Sequence, residues 1–399
     1  MKLFAQHGYG PGDKILNGFK HRTIDGVIFS ARYEKKEKIT SDAENIRSIS
    51  SEAEILLDPE CYSCFYAHQP DAKLGGLNEW SYFFPQRRSQ LETSESVEKI
   101  LTDTFDTVVD LPLTSIIAPN IFIPRSFNSI EAVIAKNFIR KTHQLFEKTG
   151  DKRNVFATLA IGRDTLIDQT EFEAFLNDIT ALDNPPDGFY IIVGGGITDD
   201  RTEITSSEII HADVIAGWMM LNYTLSINGF KVINGFSDIL TPFLGCAGGY
   251  AGATGWWSNL RMFSMSRYIN AVSGGRLPTI RYLSNALLNR ITHSERRAFV
   301  NLIPEINNGL PRDSDYEGGE PDRKVEVLQF WEAISHLNNK TIVSDINESL
   351  QMLEDMVNRA ERNYTNLAGY GLPVNREANR EYMEALMESI QTFRRNAEI

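Results

Sequence analysis

Short apolar runs recur along this chain, each closed by polar or glycine residues and followed by a segment of helical periodicity. Seven stand out: Gly26–Ser30, Glu54–Asp58, Ser115–Ile123, Val155–Gly162, Phe189–Gly196, Lys231–Asp238 and Cys246–Trp257. Such runs suit strands buried on both faces, and their alternation with amphipathic helices reads as repeated βα units on a parallel sheet. The pattern predicts the α/β class and a (β/α)8 TIM-like barrel over about residues 20–290, whose strand C-termini would build the functional site. An eighth strand is hard to place. Only Thr279–Leu283 is available, short and preceded by Pro278, so the barrel is expected to be irregular there. A doubly wound open sheet shares the same signal and is the alternative.

The connecting segments support the alternation. Asn128–Lys148 carries Ile130, Val133, Ile134, Phe138, Leu145 and Phe146 at helical spacing, with Ser126 and Ser129 at its start and Gly150 past its end. Thr170–Leu182 and Ser206–Asn228 repeat the device, and Ser258–Val272 is expected to be the helix after the seventh run. The connection 59–114 is far longer than a usual loop and rich in aromatic residues, which suggests a lid or substrate-binding insertion. The expected division is a barrel over 1–290, a linker over 291–323 rich in Gly, Pro and acids, and a helical C-terminal domain over 324–399.

Composition narrows the classes. The 399 residues carry a net charge of −13, a field that repels polyanions and disfavours stand-alone, non-specific nucleic-acid binding. No apolar run spans a bilayer and Met1 to Gly12 lacks a signal-peptide pattern, so no membrane partner and a cytoplasmic location are expected. Three cysteines cannot make a disulfide framework. In the C-terminal part, Ile346, Leu350, Leu353 and Val357 form one apolar stripe, and Met383, Leu386, Met387, Ile390 and Phe393 another. They either bury each other as a hairpin or serve a homodimer or protein complex, with the homodimer slightly favoured.

The chemistry-bearing candidates lie where the runs end. Asp58 closes the second run directly after Ile55-Leu56-Leu57 and is the leading catalytic candidate, with Glu60 two residues on. A loop-capping role is the competing reading for both. The seventh run, taken with Gly245 just before it, holds Gly245, Gly248, Gly249, Gly252 and Gly255 ahead of Trp256 and Arg261, a small-residue segment able to admit a planar base or a phosphate. Gly194 and Gly195 offer the same close approach. Asn120, Arg125, Arg163, Asn234 and Asp238 complete an expected substrate-binding rim, although Asp164 and Asp238 also suit helix caps. Cys61, Cys64 and His68, joined by the distant Cys246, could form a Cys3His zinc set only if the long loop folds back on the seventh run; otherwise no metal or cofactor is called for. None of the seven histidines closes an expected strand, which disfavours histidine-based catalysis.

Read in order, Leu57-Asp58-Pro59-Glu60-Cys61-Tyr62-Ser63, Ile117-Ala118-Pro119-Asn120, Leu159-Ala160-Ile161-Gly162, Tyr190-Ile191-Ile192-Val193-Gly194-Gly195 and Gly252-Ala253-Thr254-Gly255-Trp256 resemble the strand ends of tRNA-guanine transglycosylase-like barrels, including relatives that insert 7-deazaguanine bases into DNA. The resemblance covers about residues 26–260. It implies a pocket for a base, nucleoside or nucleotide at the barrel mouth, and transglycosylase- or glycosidase-like chemistry using Asp58. Two features of that family are missing: a second aspartate on a late strand has no counterpart in Cys246–Trp257, and the Cys-rich zinc motif is absent. A barrel without catalysis, acting as scaffold or recognition subunit of an assembly such as a phage-defence system, is therefore the alternative.

Overall fold

The computed structural model describes residues 1–69, 72–195, 211–269, 278–372, 374 and 380–399. Nine strands, Lys2–Gln6 (β1), Gly26–Ser30 (β2), Glu54–Asp58 (β3), Ser115–Ala118 (β4), Phe122–Ile123 (β5), Asn154–Gly162 (β6), Gly188–Gly194 (β7), Lys231–Gly235 (β8) and Ala251–Thr254 (β9), form one parallel sheet. They run in the order β3-β2-β1-β9-β8-β7-β6-β4. Because β4 and β5 both lie against β6, they are two halves of one stave, and the sheet has eight staves. Thr114 brings the two edges together: its amide donates to the Ile55 carbonyl at 2.8 Å and its hydroxyl oxygen accepts from the Ile55 amide at 2.9 Å. The result is a nearly closed TIM-like barrel, not an open doubly wound sheet.

The eighth stave is β1, not Thr279–Leu283. Phe4 pairs with Gly26 of β2 on one side and Ala253 of β9 on the other, so Lys2–Gln6 joins the first and last repeats. Arg281–Ser284 (β10) instead pairs antiparallel with Asn289–Thr292 (β11), outside the barrel. Its other edge is covered by side chains: the Arg281 amide donates to Glu326 at 3.0 Å and the Leu283 amide to Gln329 at 2.9 Å. Satisfying the spare backbone donors in this way lets a two-stranded ribbon stay off the main sheet.

The ring of helices also departs from sequence order at that point. Ile130–Glu147 starts as expected, the Ser129 hydroxyl accepting from the Ala132 amide, while Asp168 rather than Asp164 caps Gln169–Thr180. Ala212–Ile227 is the described part of the helix expected over 206–228; residues 206–210 lie outside the described chain. The helix expected over 258–272 is replaced by single turns at Ser258–Leu260 and Met265–Tyr268, residues 270–272 lying outside the described chain. The eighth helical position is filled by Arg323–Thr341, which packs between Lys14–Lys20 and Thr241–Cys246. Trp331 anchors it, its indole N–H donating to the Thr254 carbonyl of β9 at 3.1 Å.

Two further helices, Ile346–Gly369 and Glu381–Ala397, pack on this outer layer. Leu350, Leu353 and Val357 of the first and Met383, Leu386, Ile390 and Phe393 of the second are buried within the chain. Phe393 meets Tyr223 edge-on at 5.8 Å. Ala212–Ile227, apolar nearly all round, is thus covered on two sides, by the barrel and by Glu381–Ala397.

Candidate active site at the barrel mouth

At the C-terminal end of β3 the chain turns sharply, and Glu60 adopts a left-handed conformation with φ 51°. A non-glycine residue held there costs free energy that surrounding contacts must offset. The turn directs two carboxylates into one buried cluster: Asp58 is 1% exposed and Glu60 2%. Asp58 Oδ1 accepts from the Glu60 amide at 2.9 Å, and its Oδ2 accepts from the hydroxyls of Tyr62 at 2.8 Å and Tyr190 at 3.1 Å. Tyr190 reaches across from β7, so Asp58 projects into the barrel interior. Glu60 in turn accepts from the hydroxyls of Ser30, at the end of β2, and Tyr268, in the segment after β9.

Burial is the chief cause that pushes the Asp58 carboxyl up to about 7, and the neighbouring Glu60 charge is the second. The same desolvation holds the Tyr62, Tyr190 and Tyr268 hydroxyls well above their ordinary range, keeping them hydrogen-bond donors. Two guanidinium groups flank the cluster. Arg32 lies 4.9 Å from the Tyr268 ring centroid and donates to the Arg267 carbonyl at 2.8 Å, while Arg267 covers Phe236 at 5.1 Å. Nε and Nη1 of both arginines are buried and have no hydrogen-bond partner among the described residues. These are donors with spare capacity beside an acid pair.

Much of the mouth is filled by the chain itself. Phe263 is fully buried, 5.3 Å from both Tyr62 and Phe236 by ring centroid, and its carbonyl accepts from the Gly195 amide at 3.2 Å. At Gly194 a Cβ atom would come within 3.0 Å of the Phe263 ring. The close approach that Gly194 and Gly195 permit is therefore taken by residue 263; Gly196 lies outside the described chain.

Several other expected rim residues are occupied in bracing the fold. Asn120 is buried and spends its amide on the Thr158 carbonyl at 2.7 Å and the Ala135 carbonyl at 3.3 Å. Asn234 faces the helical layer, exchanging hydrogen bonds with Asn222 and accepting from the Trp218 indole at 2.7 Å. Gly252 makes room for Thr241, whose methyl would stand 2.6 Å from an added Cβ. Trp256 is buried, donates to the Tyr9 carbonyl at 2.8 Å and has Lys14 above it at 5.5 Å. Arg163 lies beside Asp164 at 3.5 Å, and Arg125 is exposed.

Asp238 is not a helix cap but half of a buried ion pair. Arg290 of β11 donates to both of its oxygens, Nη1 to Oδ2 at 2.7 Å, and the Thr254 hydroxyl donates to Oδ1 at 2.9 Å. Burial opposes ionisation, yet the Arg290 charge and hydrogen bonds hold the carboxyl below the ordinary carboxylate range. Arg261 belongs to the same region; burial first, and the Arg290 charge second, bring its guanidinium down to about 10.

The zinc set is not brought together. Cys246 Sγ faces the carbonyls of Thr341 at 3.6 Å and Ser349 at 3.8 Å, at the junction with the outer helices, and no three possible metal-ligating side chains cluster among the described residues. Burial pushes the Cys64 and Cys246 thiols up to about 12. A histidine does close a strand, contrary to expectation. His7 directly follows β1, buried between Phe29 and Trp256, with Nε2 3.3 Å from Glu34 Oε1. Its place at a strand end is hidden in the sequence because β1 itself is marked only by Leu3-Phe4-Ala5.

No protein-family model and no curated protein matches this chain. Among solved structures, a chitinase from Rhizomucor miehei is similar to it over 59% of this chain and 68% of the chitinase, with 11% sequence identity and a TM-score of 0.30.

Proposed function

We propose that the barrel mouth is an acid–base site for transglycosylase- or glycosidase-like chemistry on a base, nucleoside or nucleotide, with Asp58 carrying the proton. One observation carries this reading: a buried carboxyl at the end of a barrel strand, pushed up to about 7 and held by two tyrosine hydroxyls. A group half protonated at neutral pH is suited to give a proton to a leaving group and to recover it afterwards. Glu60 supplies the charge that helps keep that proton on Asp58, and the unspent N–H groups of Arg32 and Arg267 suit substrate oxygens. Access requires the segment carrying Phe263 and Tyr268 to withdraw, because Tyr268 is bonded to Glu60 and Phe263 packs on Tyr62, a partner of Asp58.

That closure also favours a second reading, in which the acid cluster locks the mouth of a barrel retained as a scaffold or recognition subunit. A thermal-shift screen of nucleosides, nucleotides and 7-deazaguanine derivatives, followed by turnover assays on the hits, separates the two. The catalytic reading expects a ligand whose turnover vanishes in a folded Asp58→Asn variant. Turnover that persists in that variant removes Asp58 from the chemistry. Absence of ligand and turnover, together with stable co-purification of an effector protein, establishes the scaffold reading.

A further inference from the structure

A cavity of about 700 Å³ lies away from the barrel mouth, between the β10–β11 hairpin region and the helices Arg323–Thr341 and Ile346–Gly369. Its size is in the range of small-molecule sites. Apolar surface comes from Leu337, Met352 and Met356, and Tyr370, 59% exposed, stands at its edge. Three features give the cavity chemical direction.

Asn285 lines the cavity and holds an unsatisfied acceptor within its wall. In the free protein Nδ2 donates to the Ala333 carbonyl at 3.3 Å, and the backbone amide donates to Asn308 Oδ1 at 2.8 Å. Oδ1 is left buried without a partner among the described residues, a costly state that a ligand N–H or O–H would relieve once the side chain turns to admit it. The acids Glu305 and Asp355 also line the cavity and add to its demand for donors.

Lys340 and Arg359 supply the opposite demand. Neither makes a hydrogen bond or an ion pair with a described residue, although Asp355 sits one turn from Arg359. His336, one turn before Lys340, is held below its ordinary range by burial and then by the Lys340 charge, so it adds no competing cation at neutral pH. The lining thus asks for a molecule with hydrogen-bond donors, an apolar or planar body and an anionic group.

We propose that this cavity binds a nucleoside phosphate: an amino or hydroxyl group meets the acids Glu305 and Asp355 and, once its side chain turns, Asn285 Oδ1, the base lies against Leu337 and the two methionines, and the phosphate is held by Lys340 and Arg359. This site is independent of the acid cluster at the mouth. Calorimetric titration of the full chain with adenosine monophosphate, adenosine and inorganic phosphate tests it, alongside a Lys340→Ala/Arg359→Ala variant and Asp58→Asn. Both arginine and lysine are exposed, so the double variant is expected to melt like the parent. The expected result is saturable binding of the nucleotide, at least tenfold weaker for adenosine, at least tenfold weaker in the double variant and unchanged in Asp58→Asn. Binding unaffected by the double variant, binding lost in Asp58→Asn, or no binding of the nucleotide overturns the proposal.

Discussion

Two carboxylates stand at or just past the ends of strands of the same barrel, both are buried and both lie at a backbone kink, yet their chemistry is opposite. Asp58 faces tyrosine hydroxyls and a second acid, and its carboxyl is pushed up to about 7. Asp238, itself at φ 43°, faces Arg290 and is held ionised below the usual range. Position at or just past a strand end selects a place where function can be built. The group facing the carboxylate decides whether it holds a movable proton or fixes the fold.

The largest expected effect falls on the ion pair. Asp238→Asn leaves the Arg290 guanidinium buried without its counter-charge, and breaking a buried pair from one side costs about 3–5 kcal/mol. Urea unfolding should show that loss; a change below about 1 kcal/mol would mean that Asp238 and Asp58 are not the different kinds of group described above.

Asp58→Asn should act the other way. The folded carboxyl titrates above its unfolded value of 3.8, so its stabilising contribution is complete below that value and is lost as pH rises through about 7. An asparagine has no such titration. Relative to the parent, the variant should gain up to about 4 kcal/mol between pH 4 and pH 8. Parallel pH–stability curves for the two proteins would contradict the assignment.

Tyr268→Phe removes one donor from Glu60 while preserving the ring. A loss of about 1–2 kcal/mol is expected, since a buried hydrogen bond to a charged group is involved. It should also loosen the mouth, seen as faster amide hydrogen exchange in 258–268. A drop in stability with unaltered exchange there would separate the tyrosine from the closure.

Much of the architecture was legible because β2, β3, β6 and β7 are continuous apolar runs, as strands covered on both faces require. β1 was not, since only Leu3-Phe4-Ala5 marks it and its role depends on pairing with two distant strands. Arg281–Ser284 carries an equally good local pattern, and only the side chains of Glu326 and Gln329 on its edge reveal that it leaves the barrel. The helix Arg323–Thr341 is visible in the spacing, but its place after β9 in the barrel ring is not, because residues 255–322 intervene.

The site followed the same rule. Asp58 announces itself as a charge ending an apolar run, whereas Tyr190 looks like one more strand residue until β7 and β3 face each other. Glu60 meets Tyr268 across 208 positions and Asp238 meets Arg290 across 52, distances over which composition and periodicity carry no information. The same limit explains Asn234 and Gly252, whose strand positions suggested a rim but whose side-chain directions face the helices.

The most direct test is the titration of Asp58 itself, followed by carboxyl carbon resonance with Asp58→Asn used to assign the signal. A midpoint near 7, shifted downward when Glu60→Gln removes the neighbouring charge, is the predicted result. A midpoint at or below the ordinary aspartate value, unaffected by Glu60→Gln, would contradict the account.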